Sequence, residues 1–120
     1  MNRRVLAAVD DLFFASKIRG TAEQLNVTVE FAKKADTLFD LAKTDAPSLV
    51  ILDLNSEKFD ALSLAARLKG DERLRGVPVV GFLSHVQTEL QRSAEEAGVD
   101  RVLPRSAFTK YLSEILKGEF

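Results

Sequence analysis

Short runs of Val, Ile and Leu alternate along this chain with longer stretches whose apolar residues recur at helical spacing. That alternation decides what the chain can fold into. The short runs Val5–Val9, Val27–Phe31, Leu49–Leu52, Val79–Leu83 and Val102–Leu103, rich in Val, Ile and Leu, read as strands. Between them, apolar residues fall on one helical face in five places. The first face carries Phe14, Ile18, Ala22 and Leu25; the second carries Leu38, Leu41 and Ala42. The third holds Leu62, Ala65, Ala66 and Leu68, and the fourth Val86, Leu90, Ala94 and Ala97, with Gly98 as a left-handed stop. The last holds Phe108, Tyr111, Leu112, Ile115 and Leu116, with Ser106 as its expected N-cap.

Five strands alternating with five helices predict an α/β fold: a five-stranded parallel sheet, doubly wound, with helices on both faces. The third and fourth runs are almost wholly apolar, as strands buried on both sides should be. At 120 residues and 46% hydrophobic content the chain suffices for one domain spanning 1–120. Seventeen Lys and Arg stand against eighteen Asp and Glu, a balance that argues against a nucleic-acid binder. With no cysteine there is no disulfide framework, thiolate metal site or Cys nucleophile. No apolar run has the length of a membrane span, and Asp10-Asp11 stop the first run too soon for a secretory signal. A cytoplasmic protein is expected.

In a sheet of this kind function collects outside the carboxyl ends of the strands. The first run ends in Asp10-Asp11, the third in Asp53, the fourth in Ser84-His85, and the fifth in Leu103-Pro104-Arg105. Three carboxylates, a hydroxyl and a cation therefore share one edge. Neighbouring acids repel, so one of them should have a raised pKa unless a cation binds. Oxygen ligands of this sort suit magnesium. A carboxylate beside such an ion can attack phosphorus and form an acyl phosphate, and a nearby hydroxyl and cation can hold the phosphoryl oxygens.

These residues resemble a family. Val9-Asp-Asp11, Leu49-Val-Ile-Leu-Asp-Leu-Asn55, Pro78-Val-Val-Gly-Phe-Leu-Ser84 and Ala97-Gly-Val-Asp-Arg-Val-Leu103 stand in the order found in the receiver domain of two-component response regulators. The resemblance covers essentially the whole chain and implies the flavodoxin-like (βα)5 receiver fold. It implies that Asp53 is the phosphoacceptor, Asp11 the direct magnesium ligand and Asp10 the acid that holds metal waters. By the same likeness Asn55 offers a backbone carbonyl to the metal, Ser84 contacts the phosphoryl group and Arg105 takes the place of the family's Lys.

The chain departs from the family's pattern in four places. Arg105 keeps the charge of the Lys but is longer and planar. Ser106 stands where the family has Pro, with Pro104 placed before the basic residue, so a cis bond would fall at Leu103-Pro104 or nowhere. Val102 occupies the position of the switch aromatic. The loop from Asn55 to Ala61 lacks the family's Met-Pro and has Ala61 at its Gly.

Other residues carry less. His85 reads as a solvated loop residue whose bulk narrows access to Asp53. Phe14 fits the core stripe, whereas Phe13 should point outward. The basic pairs Lys33/Lys34, Arg67/Lys69 and Arg73/Arg75 read as solvated faces.

The function this implies is a stand-alone response regulator. It accepts phosphate on Asp53 from a histidine kinase or phosphotransfer protein with magnesium. It then signals through contacts with an output protein, on the face of the fourth and fifth helices, as a monomer or weak homodimer. It is not an enzyme beyond slow autodephosphorylation. The alternative is a pseudo-receiver, the same fold used as a phosphorylation-independent interaction or dimerisation module. A cofactor enzyme fits poorly. A flavodoxin would want a Ser/Thr/Gly-rich loop after the first strand, a dinucleotide binder Gly-x-Gly-x-x-Gly, and a haloacid-dehalogenase-type phosphatase two acids spaced two apart.

Overall fold

A computed structural model describes residues 3–84 and 87–120. Expectations placed on His85 and Val86 lie outside the described residues. Strands β1 (Arg4–Ala8), β2 (Thr28–Phe31), β3 (Leu49–Asp53), β4 (Val79–Leu83) and β5 (Arg101–Pro104) form one sheet in the order β2-β1-β3-β4-β5. Every adjacent pair is parallel. The helices are α1 (Leu12–Gln24), α2 (Ala35–Thr44), α3 (Ala61–Gly70), α4 (Thr88–Ala97), α5 (Arg105–Lys110) and α6 (Leu112–Lys117).

The period of two along each strand divides the core. Leu6, Ala8, Val50, Leu52, Val79 and Leu83 face one cluster, together with Leu38, Leu64, Leu68 and Ala94 from α2, α3 and α4. Val5, Ala7, Leu49, Ile51, Val80 and Phe82 face the other, with Phe14 and Ile18 of α1, Phe108 of α5, and Ile115 and Leu116 of α6. Residues of β3 and β4 are all buried, whereas the edge strands β2 and β5 are partly exposed. This is the doubly wound sheet that the apolar pattern predicts. No helix among the described residues is long and apolar enough to cross a membrane.

Several local expectations are corrected. In α3 the buried face is Ala61, Leu64, Ala65 and Leu68, and Ala66 is exposed. The Asp60 side chain accepts the Ser63 amide at 3.2 Å and starts the helix at Ala61, and the Ala61, Leu64, Ala65 and Leu68 stripe faces inward. The last helix is two, α5 and α6, joined at Tyr111 with φ −104° and ψ 17°. The amide of Tyr111 still donates to Ala107 and that of Ile115 to Tyr111, so the helical repeat runs across the join.

Ser106 is not the N-cap. Pro104, at φ −65° and ψ 153°, holds that position without a side-chain bond, and the helix begins at Arg105. Tyr111 lies at the surface against Phe120, ring centroids 5.2 Å apart, rather than in the core. No peptide bond among the described residues is cis, Leu103–Pro104 included. Gly98 does end α4 in the left-handed conformation, at φ +108°, and Phe13 does point outward, 83% exposed.

Candidate functional site at the carboxyl edge of the sheet

The order β2-β1-β3 places the ends of β1 and β3 side by side, because the chain leaves β1 for one sheet edge and returns to β3 on the other side. Asp53 is the last residue of β3 and pairs in register with Phe82 of β4. It is the one buried polar or charged residue among those described, 4% exposed. One carboxylate oxygen accepts the Asn55 amide at 3.0 Å. Burial pushes its pKa above the ordinary 3.8. The Asn55 amide and the positive charge of Arg105 pull the other way, while Asp10 and Asp11 add a smaller upward push. One acid of the group does have a raised pKa, the central one, but burial and not the expected repulsion between acids is the main cause.

Asp11 does two things at once. One oxygen accepts the Phe14 amide at 3.1 Å and caps α1. The other meets Nη1 of Arg105 at 3.3 Å. Arg105 lies over an aromatic platform: its guanidinium carbon is 4.9 Å from the Phe14 ring centroid and 5.8 Å from that of Phe82. Phe14, Phe82 and Phe108 pack mutually at 4.7–5.6 Å. A planar guanidinium uses such a surface in a way that an ammonium does not. The Nε of Arg105 is buried and, among the described residues, has no acceptor.

Asp10 is held by the loop after β3. Lys58 Nζ lies 3.3 Å from one oxygen, and the Ser56 hydroxyl donates to the other at 3.4 Å. Sequence reasoning missed both partners. The signal was present in the loop that departs from the family's pattern, where a hydroxyl and an amine follow Asn55.

Asn55 joins the loop after β3 to the one after β4. Its Oδ1 accepts the Ser84 amide at 2.6 Å, and its Nδ2 donates to Gln87 Oε1 at 2.9 Å. Ser84 is exposed just beyond β4. Val102 pairs in register with Gly81 and packs, partly buried, into the α2–α4 cluster.

The structure therefore brings Asp10, Asp11, Asp53 and Arg105 together and ties Asn55 to Ser84. Among the described residues, no group of three or more acidic or histidine side chains is drawn into metal-ligating geometry. Asp10 and Asp11 are turned instead to Lys58 and Arg105. The donor set is nonetheless that of a hard cation: carboxylate and carbonyl oxygens, with excess negative charge now balanced by two side-chain cations.

Solved structures with the same architecture are numerous. The chemotaxis response regulator CheY4 of Vibrio cholerae superposes at a TM-score of 0.85 with 15% identity, covering 100% of both chains. The chain has the receiver fold. The phosphorylated cyanobacterial phytochrome response regulator RcpA matches at 0.81 with 20% identity, over 98% of this chain and 91% of that one. The Mn(2+)-bound response regulator Rcp1 matches at 0.78 with 18% identity, over 97% and 90%. No protein-family model and no curated protein sequence matches. Identities of this size carry the receiver fold, and the roles of individual residues rest on the site itself.

Proposed function

We propose that this chain is a response-regulator receiver that takes a phosphoryl group on Asp53. The observation that carries the reading is the donor arrangement around Asp53. A buried carboxylate at a strand end lies in the field of Arg105, whose buried Nε has no acceptor among the described residues. A buried donor without an acceptor costs roughly 1–3 kcal/mol. An oxygen of a phosphoryl group on Asp53 would supply the missing acceptor.

In the proposed step an Asp53 oxygen attacks phosphorus in line. The bond from phosphorus to the imidazole nitrogen of a histidine kinase or phosphotransfer protein breaks, and its electron pair returns to that nitrogen. Magnesium, when bound, supplies charge neutralisation at the phosphoryl oxygens, and Asp10, Asp11, Asp53 and the Asn55 carbonyl would hold it. Two proteins of the same fold lend support: Rcp1 binds Mn(2+), and RcpA is phosphorylated. Arg105, beside Asp11, would orient the phosphoryl group and neutralise its charge. Ser84, joined through its amide to Asn55, would contact the phosphoryl group. Slow hydrolysis of the acyl phosphate resets the switch, and no other catalysis is ascribed to the chain.

Output would pass through protein contacts on the α4 and α5–α6 face, in the cytoplasm, with the chain a monomer or weak homodimer. One observation favours the alternative, a phosphorylation-independent interaction module: Asp10 and Asp11 already pair with Lys58 and Arg105. A beryllofluoride titration with magnesium, followed by amide NMR, separates the readings. Saturable shifts at Asp53, Ser84 and Arg105, absent in Asp53→Asn, support the switch. Silence across those amides overturns it in favour of the module.

A further inference from the structure

Beside the acid edge, toward β2, lies a cavity of about 470 Å³ that shares only Asp10 with the proposed phosphoryl site. Its size is within the range of small-molecule sites. Val9, Ala15, Ala32 and Phe59 give it an apolar floor, and all four are buried. Leu12 stands on its rim, 85% exposed, an apolar side chain that an occupant would cover.

Three cations converge on the mouth. Arg19 is braced over the Phe31 ring at 4.8 Å, and Lys33 and Lys58 come from the loops after β2 and β3. Among the described residues neither Arg19 nor Lys33 has an acidic partner. Asp10 is the one acid in the lining, so three positive charges less one negative leave a local charge of +2. An apolar floor beneath a positive rim selects a ligand with a ring or branched chain at one end and an anionic group at the other.

We propose that this cavity binds a small amphipathic organic anion, an aromatic carboxylate or phosphate monoester. Its ring rests on the Val9–Phe59 floor under Leu12. Its anionic group is taken by Lys33, Lys58 and the Arg19 guanidinium. Lys58 is shared with Asp10 at 3.3 Å. Occupancy therefore draws a cation from the acid edge, and the cavity and the edge compete for one ammonium group. Binding itself does not depend on phosphorylation of Asp53.

The test uses the full chain and three probes: benzoate, phenyl phosphate and the neutral isostere benzyl alcohol, each titrated by amide NMR. Benzoate and phenyl phosphate should give saturable shifts confined to the cavity lining, Val9, Ala32, Lys33 and Lys58 among them. Benzyl alcohol should bind about tenfold more weakly, the effect of losing two or three exposed charge contacts. Lys33→Gln, a surface change that leaves the core intact, should weaken benzoate about threefold, and added salt should weaken it further. Ala32→Leu, which fills the cavity from its floor, should abolish binding. Equal binding of benzyl alcohol overturns the proposal, as do shifts that never saturate or that scatter over the surface. An unchanged benzoate affinity in Lys33→Gln combined with Arg19→Gln overturns it too.

Discussion

Asp11 and Arg105 meet across the carboxyl edge of the sheet, Oδ2 to Nη1 at 3.3 Å, while the other Asp11 oxygen caps α1 through the Phe14 amide. One carboxylate thus carries a helix cap and an ion pair on separate oxygens, and substitution can part them. Asp11→Asn keeps an oxygen for the cap and loses the charge. It should cost only a few tenths of a kcal/mol, since the ion pair is partly exposed. Asp11→Ala loses both and should cost about 1 kcal/mol more, the usual worth of an N-cap. Urea denaturation of the two variants measures the difference. Equal losses would show that the cap contributes nothing.

Burial holds the Asp53 carboxyl above its ordinary pKa of 3.8. Between that value and the raised one, the folded chain binds more protons than the unfolded chain. Stability therefore falls as pH rises through this window. Above 3.8 the unfolded chain ionises Asp53 more readily than the folded chain does, which costs the fold stability, and Asp53→Asn removes that cost while its amide oxygen can still accept the Asn55 amide. The variant should melt higher than the parent at pH 7, and the gap should close as pH falls toward 3.8. Thermal melts of both proteins across pH 4–8 test this. A gap that widens on acidification would mean that the pKa is depressed.

Much of this architecture is legible in the sequence. The apolar runs of β3 and β4 announce a sheet covered on both faces, and strand-end acids announce the edge where chemistry gathers. Helix phase is less visible: Ala66 and Ala65 look alike in composition, and Ala65 faces inward because it shares a stripe with the buried Ala61, Leu64 and Leu68. The split at Tyr111 has no mark in the periodicity, since hydrogen bonding continues across it. In the site, Asp53, Asp10, Asp11 and Arg105 are readable from position. Their partners are not, because Lys58 and Ser56 reach Asp10 from 46 or more residues away. The aromatic support of Arg105 is hidden similarly. Phe14 and Phe82 read as core, and nothing in their spacing says that a guanidinium lies on them.

The Asn55 side chain is a latch between two loops, bonded to the Ser84 amide and to Gln87 at the N-cap of α4. With Val102 where an aromatic switch would stand, this latch is a direct side-chain link between the loop after Asp53 and the start of α4. Asn55→Ala removes two hydrogen bonds near the surface and should cost roughly 1–2 kcal/mol. Its sharper effect should be local: amide exchange at Ser84 should accelerate about tenfold, while the Leu52 and Phe82 amides keep their protection. Hydrogen exchange followed by NMR distinguishes this from general loosening, in which all three would accelerate together.

Gly81 sits in the middle of β4, facing Leu54, the residue after Asp53. A Cβ built there would lie 2.9 Å from Leu54 Cδ1 and 3.0 Å from its Cγ. Leu54 is buried and fills the space that the missing side chain leaves. Gly81→Ala must therefore push Leu54 aside, at a cost of about 1–3 kcal/mol for overpacking, offset in part by the lower chain entropy of Ala in a strand. Because Leu54 adjoins Asp53, the displacement should also move the Asn55 amide away from the Asp53 carboxylate. Shortening Leu54 in the same chain relieves the clash. Gly81→Ala combined with Leu54→Ala should be more stable than the sum of the two single losses predicts, by about 1 kcal/mol in a double-mutant cycle. Strict additivity in urea melts would show that the strand accommodates the methyl group without touching Leu54.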